Sequence, residues 1–354
     1  MNKNPKVSIV LPTYNRAKLI MRALYSIRDQ NYNNWELIIV DDGSFDNTKH
    51  LIDEFAKTVN QNIIYIYQEN RGAGSARNCG ISKCSGELIA FIDSDDAWTT
   101  NHLKDSVKAL IDNPQIDWVC SDLSRIEIKT GRIVVSSNFH ADGKKPKFFN
   151  LKNYKKGNVN IIKDKRLVRF LLKYGVIGHL PCSVLRKTIF EVLQIRNFRI
   201  GEDRLFSIEA AKHGFNFAYI DNIHLHFGVH DSHSTVGKNE ETQKYIDVHD
   251  ELARMYRFIY KNKSFSFLER MLARRALSHE YFWGLAYNGL WLKEERNLSI
   301  FYFYKAIKIW PFSFLFWKTF IFCFIRVFLS PEGFQIGPGF KSRARPLIDE
   351  SNVK

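Results

Sequence analysis

The chain has 354 residues, 45% of them hydrophobic, which is enough for two domains, one large and one small. Its 52 Lys and Arg exceed its 37 Asp and Glu, a formal net charge of +15, and this excess sits beside a Phe-rich apolar segment instead of a polar groove, which argues against nucleic acid as a partner. Five scattered cysteines, an odd number, read as reduced thiols, and an apolar strand as early as Val7 leaves no room for a signal peptide, so an intracellular location is expected.

In chain order, Val7-Ser8-Ile9-Val10-Leu11-Pro12 is a β-branched apolar run stopped by proline and predicts a buried strand. Helical spacing over 17–30 puts Leu19, Ala23, Leu24 and Ile27 on one face. Residues 35–40 predict the next strand, which runs into Asp41-Asp42-Gly43-Ser44. A helix follows at 46–57, a strand at 63–68, a helix at 74–83 and a fourth strand at 88–92, ending in Asp93-Ser94-Asp95-Asp96. This alternation predicts an α/β fold, a Rossmann-like, mostly parallel sheet flanked by helices. Ligands of such sheets bind outside the carboxyl ends of the strands. Pro12-Thr13-Tyr14, Asp41-Asp42, Asn70-Arg71-Gly72 and Asp93 to Asp96 all fall there.

The acidic stretch carries the most chemistry. Strand alternation sends Asp93 and Asp95 to one side, with Asp96 opposite or beginning a loop, and a helix starts near Thr99. Carboxylates this close repel each other, a conflict that a divalent cation removes. Hard oxygen ligands suit Mg²⁺ or Mn²⁺, and Mg²⁺ characteristically uses one or two carboxylates plus the phosphates of its substrate. The bland alternative is a solvated acidic turn before a helix. Around it, Tyr14 can stack on a base, Asp42 can accept from a ring N–H, and Arg77 can reach a diphosphate. For Asp41 to Ser44 a plain turn and N-cap is the competing reading. Gly72-x-Gly74 lacks a third glycine for a dinucleotide fingerprint, and no Gly-x-x-x-x-Gly-Lys is present for a P-loop.

Taken together, Val7 to Arg16, Val40-Asp41-Asp42-Gly43-Ser44, Asn70-Arg71-Gly72, Ala76-Arg77-Asn78-Cys79-Gly80, Phe91 to Asp96 and Gly201-Glu202-Asp203 resemble the family 2 glycosyltransferases of GT-A fold, in order and spacing over about the first 235 residues. The resemblance implies an inverting transferase that uses a nucleotide-diphosphate-sugar donor and a metal held at Asp-x-Asp. Pro12, Tyr14, Asp42, Asn70, Arg77 and Asp93 match positions around the nucleoside and diphosphate in relatives. Asp95 matches the usual metal ligand, with Asp93 and Asp96 close enough to share that role. Uridine is preferred because Asp42 and Tyr14 match relatives that bind it.

Inverting transfer is a single in-line displacement, so the acceptor hydroxyl must lose a proton to a base. Glu202 and Asp203 stand after a loop and before a helix at 204–212, whose N-terminus favours an ionised carboxylate. Asp203 is assigned as base and Glu202 as a contact to the acceptor or the loop; ordinary helix capping is the competing reading. His224, His226, His230 and His233 follow. Relatives carry Arg-x-His-x-x-Ser here; His230 fits that element as a metal or diphosphate ligand, but Gly228 replaces the arginine. The His224–His226 alternation reads more simply as one strand face.

Residues 117–127 predict a strand and Lys129 to Arg132 a hairpin turn, while 140–169 hold ten Lys or Arg against two Asp, a solvated face or an acceptor-binding insertion. Residues 254–345 hold 16 Lys or Arg against 5 Glu and no Asp, crowded with aromatics. Within 311–329, Lys318 and Arg326 form a narrow cationic stripe that suits a helix lying on an anionic membrane surface, the alternative being a buried helical hairpin. The expected organisation is a GT-A catalytic domain at 1–240 (nucleotide-binding half 1–98, acceptor-binding half 99–240), a helical membrane-associating or packing domain at 241–345, and a tail at 346–354. No Gln-x-x-Arg-Trp element follows the base, which favours adding one sugar to a glycan or lipid-linked acceptor over processive synthesis. The expected setting is cytoplasmic, peripheral on the inner face of the membrane. A catalytically inactive membrane-surface scaffold or a sugar-nucleotide-binding protein is the alternative.

Overall fold

The computed structural model describes residues 3–141, 146–230 and 242–329, and the chain divides into two compact units, 1–233 and 234–354. In the first, β1 (Val7–Thr13), β2 (Trp35–Asp41), β3 (Ile63–Tyr67) and β4 (Leu88–Phe91) lie parallel in the order β3-β2-β1-β4. The crossovers are α1 (Ile20–Arg28), α2 (Thr48–Ala56) and α3 (Ala73–Ile81). The buried face of α1 is Ile20, Ala23, Leu24 and Ile27, set at helical spacing against Val7, Ile9 and Leu11. Both β1 and β2 are buried throughout, as strands covered on two faces must be.

Proline does not stop β1 as its sequence predicts. The strand runs on through Pro12 because pairing with β4 has already ended at Val10, so the missing N–H faces no partner strand. Three other boundaries move. The fourth strand stops at Phe91, before the acidic stretch; α4 (His102–Asp112) starts later than Thr99; and Glu202 and Asp203 lie inside the first turn of α7 (Glu202–Lys212), not ahead of it.

Beyond β4 the sheet becomes mixed. Strand β10 (Ser183–Arg186) is antiparallel to β4 and to β6 (Trp118–Glu127), and β6 runs parallel to the long β11 (Phe217–Val229). Lys129 to Arg132 turn β6 into β7 (Ile133–Val135), with Gly131 at φ +71°. The basic stretch is a solvated face, its described Lys and Arg all exposed, and much of it is also regular structure. It forms β8 (Asn153–Lys156) and β9 (Val159–Ile162), a hairpin added to the sheet edge through β11. Two-residue β5 (Ala97–Trp98) pairs with Leu225 and His226 of β11, tying the segment after Asp96 to that strand.

Under this bridge, His102 is fully buried and packs tilted against Trp98 at 4.4 Å, 5.7 Å from the His224 ring, and neither of its ring nitrogens has a hydrogen-bond partner. His224 and His226 therefore do not share a single role: the first meets Asp105 at 3.3 Å, the second Ser124 at 2.7 Å. Four further elements complete the first unit's described helices: α5 (Leu167–Tyr174), α6 (Thr188–Val192), and short 3₁₀ turns at Lys147–Asn150 and Leu180–Cys182.

The second unit is helical. It contains α8 (Thr242–Lys261), α9 (Phe267–His279) with a Ser266/Glu269 capping box, a π-helical stretch at Glu280–Leu290, α10 (Arg296–Ile309) and α11 (Phe314–Phe328). Phe282 stacks on Phe316 at 4.0 Å and packs on Phe303, so α11 buries Phe316, Cys323 and Val327 within its own unit. The opposite face leaves Phe314 (81%), Trp317, Ile321, Phe322, Phe324 and Ile325 exposed together with Lys318 and Arg326. Among the described residues no helix is long and apolar enough to cross a membrane. The tail at 346–354 lies outside the described residues, as do Asp231, Ser232 and His233.

Burial, and to a lesser degree the charge of His224, holds the His102 imidazole well below its usual range. Its contribution to stability is therefore complete above the unfolded value near pH 6.5 and is lost as pH falls, at about 1.4 kcal/mol per pH unit. His102→Phe keeps the ring and removes the titration. Denaturant unfolding should show the variant losing about 1 kcal/mol less than the parent between pH 7 and 5.5.

Candidate active site

The acidic stretch is a turn, not a strand end: the Asp96 N–H donates to the Asp93 carbonyl at 3.0 Å. The three carboxylates are therefore separated by the turn and not by a strand pleat. Asp93 Oδ1 receives Arg77 Nη2 at 2.6 Å, while Asp95 Oδ2 lies 2.9 Å from His230 Nε2 and 3.7 Å from Arg16. Asp96 is fully buried. Its Oδ1 accepts from the Gly228 N–H at 3.0 Å and its Oδ2 has no partner. Burial, reinforced by Asp93 and Asp95, pushes Asp96 well above the usual carboxylate range. Beneath the turn, Arg22 donates to the carbonyls of Asp95 (3.4 Å) and His226 (3.3 Å). Gly228, standing where relatives carry arginine, has a local reason: a Cβ there would lie 2.2 Å from the Asp95 carbonyl and 2.8 Å from Arg22.

Arg77 is the centre of the site. It projects from α3 with its side chain 6% exposed, and its second terminal nitrogen, Nη1, donates to Glu202 Oε1 at 2.9 Å. One guanidinium thus joins the acidic turn after β4 to the first turn of α7. Burial alone would lower its pKa, but Asp93 and Glu202 outweigh that and raise it. Asn78, one residue on, donates to the Ile195 carbonyl (2.6 Å) and accepts from its N–H (3.1 Å), fixing the segment that leads into α7. Gly201 enters the helix at φ +86°, which favours glycine. Burial lifts Glu202 to about 7, with Arg77 opposing and Asp203 adding to the rise. Asp203 goes the other way: burial would raise it, but His179, at 2.9 Å, and the Arg204 N–H hold it low.

The remaining predicted positions line the ends of β1, β2 and β3. Tyr14 is 43% exposed and meets the more exposed Phe45 edge-on at 6.4 Å, forming an aromatic rim. Asn15 and Ser44 lock the β1 and β2 loops together: Ser44 Oγ accepts from the Asn15 N–H at 2.8 Å, and Asn15 Oδ1 from the Phe45 N–H at 3.0 Å. Pro12 is buried and Asn70 exposed. Asp42 is buried and organises the loop after β3, accepting from Gln68 (2.6 Å) and from the N–H groups of Arg71 (2.9 Å) and Gly72 (2.8 Å). Asp41 serves as the expected turn cap, accepting from the Ser44 N–H at 2.8 Å.

Among the described residues no three acidic, His or Cys side chains converge tightly enough to hold a metal alone. Asp95 with His230, beside the unpartnered oxygen of Asp96, nevertheless has the donor chemistry of a partial site whose remaining ligands come from substrate phosphates. Four participants were not singled out from sequence: Arg16, Arg22, Phe45 and His179. Only Phe45, an aromatic directly after Asp-Asp-Gly-Ser, had a local signal; the others come from long-range packing.

Removing Arg77 would leave Asp93 and Glu202 half-buried without their shared cation. Arg77→Ala is expected to lower stability by about 3–5 kcal/mol in denaturant unfolding.

The family model for glycosyl transferase family 2 matches residues 8–193. The putative glycosyltransferase EpsH of Bacillus subtilis is 30% identical over 228 residues, 64% of this chain and 62% of that protein. UDP-Glc:alpha-D-GlcNAc-diphosphoundecaprenol beta-1,3-glucosyltransferase WfgD of Escherichia coli is 38% identical over 107 residues, 30% of this chain and 42% of that protein. The chain thus spans less than two thirds of the length of either relative. Among solved structures, S. aureus TarS 1–349 in complex with UDP-GlcNAc aligns at TM-score 0.58 and 20% identity, covering 86% of this chain and 81% of that one. With the fold, the acidic turn and the family match in agreement, the chain belongs to glycosyl transferase family 2 and has the GT-A fold.

Proposed function

We propose that this chain transfers one sugar, with inversion, from a nucleotide-diphosphate-sugar to a hydroxyl of a glycan or lipid-linked acceptor in cell-surface polysaccharide synthesis. The observation that carries this reading is the Arg77 bridge, which ties the acidic turn at Asp93 to Glu202, the immediate neighbour of the candidate base Asp203. Tyr14 and Phe45 offer aromatic faces to the nucleobase, and Asn70 and the Asp42-ordered loop flank the nucleoside. UDP is the favoured nucleotide because WfgD is named for UDP-Glc and TarS was solved with UDP-GlcNAc. When bound, Mn²⁺ or Mg²⁺ supplies a Lewis acid for the leaving diphosphate, and Asp95 and His230 would hold it, with Asp93 at the edge of the site. Asp96, fully buried, would support the turn more than it ligates.

In the displacement the acceptor oxygen bonds to the anomeric carbon while the bond from that carbon to the diphosphate oxygen breaks, its electron pair leaving with the diphosphate. The acceptor proton goes to the base centred on Asp203. Glu202, tied to Arg77, holds that centre against the acidic turn.

The exposed face of α11 supports a second partner, an anionic membrane surface. A large exposed apolar face marks an interaction site, and Lys318 and Arg326 on the same helix complement anionic headgroups. The reading is of an enzyme peripheral on the cytoplasmic side of the membrane, with the exposed α11 face as its support.

Calorimetry with UDP, GDP, dTDP and CMP in Mn²⁺, Mg²⁺ or EDTA is the first test. One diphosphate should bind tightly only with metal, and Asp95→Ala should weaken it by at least the ~10- to 100-fold that loss of a supporting partner costs a metal site. Absence of metal-dependent binding to any of the four would overturn the assignment of Asp95. Asp203→Asn is expected to keep nucleotide affinity and lose about 10²- to 10⁴-fold in kcat. In co-sedimentation, Lys318→Gln with Arg326→Gln should weaken binding to anionic vesicles by about 2 kcal/mol, or ~30-fold, and leave zwitterionic vesicles unaffected.

A further inference from the structure

The proposed base has a partner that the sequence pattern does not signal. His179 Nδ1 lies 2.9 Å from Asp203 Oδ2, and the other carboxylate oxygen, Oδ1, accepts the Arg204 N–H at 2.6 Å. Both oxygens of Asp203 are thus already occupied by protein donors. An ionised carboxylate can only accept, so Nδ1 must carry the hydrogen in this pair, and in the neutral imidazole Nε2 is then the bare, proton-accepting nitrogen. The His179 side chain is 43% exposed against 25% for Asp203, so the imidazole is the more accessible of the two.

His179 is also rigidly mounted. Its carbonyl accepts from the Cys182 N–H (3.2 Å) and from Ser183 Oγ (2.8 Å). Gly178 lies flush against β6, where a Cβ would come within 2.4 Å of the Cys120 side chain. A half-buried carboxylate orienting an imidazole on a fixed backbone is an arrangement suited to proton transfer.

The geometry points to His179 as a catalytic residue: its Nε2 takes the proton from the acceptor hydroxyl while Asp203 orients the ring and carries the compensating negative charge. The inference rests on the transfer reading above and divides the work of the base between two side chains. The acceptor O–H bond breaks with its proton going to Nε2, the acceptor oxygen bonds to the anomeric carbon, and the diphosphate leaves with the electron pair of the broken bond. Imidazolium and carboxylate then form an ion pair until solvent removes the proton.

The charged groups around the ring are Asp203 on α7, Arg125 on β6 and Asp93 in the acidic turn, with Glu202 and Arg77 adjoining Asp203. Burial lowers the imidazole pKa, but Asp203 outweighs it and Asp93 adds to the rise, so the net shift is upward despite Arg125. Such a dyad loses activity in acid through imidazole protonation, in the range above pH 6.5 and not in the carboxylate range near 4.

The test is the pH profile of kcat/KM for the full-length protein and for His179→Gln, whose side-chain amide can still donate to Asp203 but cannot take a proton. The expected result is a fall of about 10²- to 10⁴-fold in kcat and loss of the imidazole-range acid limb, with metal-dependent UDP affinity and unfolding midpoint unchanged. A variant within about threefold of the parent in kcat, with its acid limb unmoved, would overturn the dyad and leave Asp203 as sole base. His179→Ala, checked for folding by the same nucleotide affinity, should be at least as impaired; an active alanine variant counts equally against the dyad. A parent that binds no nucleotide diphosphate with any metal sinks the transfer reading itself, a distinct failure.

Discussion

The arrangement depends on one buried cation. Arg77 must be charged where it sits, because Asp93 and Glu202 both need it, and it must be placed to within a few tenths of an ångström to reach both. That demand propagates outward. Helix α3 must pack so that residue 77 faces the cleft, and Gly74 allows this, since a Cβ there would lie 3.1 Å from the Arg196 carbonyl. Asn78 pairs with the backbone of Ile195, and Asn197 Nδ2 reaches the Arg71 carbonyl at 3.1 Å. The loop after β3, helix α3 and the segment leading into α7 are thereby held as one piece, although more than 110 residues separate them in sequence.

Within that frame, identical functional groups acquire different roles from their surroundings alone. Five carboxylates lie in the acidic turn and the first turn of α7, and no two share an environment. Asp96, buried and beside two other acids, favours its neutral form. Glu202, buried but bridged to Arg77, is balanced at about 7. Asp203, given an imidazole and a backbone N–H, stays ionised. Asp95 faces His230 and Arg16, and Asp93 faces Arg77. The spread follows from desolvation opposing specific donors, and it divides structural from chemical work without any change of residue type.

The helical unit solves a different problem. It has little sheet to cover, so it builds its own aromatic core around Phe282, Phe303 and Phe316 and accepts a π-helical stretch where Tyr281 turns inward to Arg257. Beyond Phe316, Cys323 and Val327, which α11 buries, most of its apolar side chains stay exposed. An apolar face that also carries Lys318 and Arg326 is what that packing leaves exposed.

Local sequence determined much of this protein. Periodicity was enough for four parallel strands and their crossover helices, because the 2-residue and 3.6-residue repeats are set by which face must be buried. Polar clusters at the strand ends pointed to the candidate site, and Gly201-Glu202-Asp203 to the candidate base. What only tertiary structure decided is the direction in which each side chain points. Asp93, Asp95 and Asp96 diverge because a turn, not a strand, carries them, and Arg77 is committed to two carboxylates contributed by distant segments. His179 lies 24 residues before Asp203 in an unremarkable Gly-His-Leu-Pro stretch and meets it only through the packing of β6, β10 and α7. Such pairings depend on the crossing of separate elements, and no local pattern encodes the angle at which two elements cross.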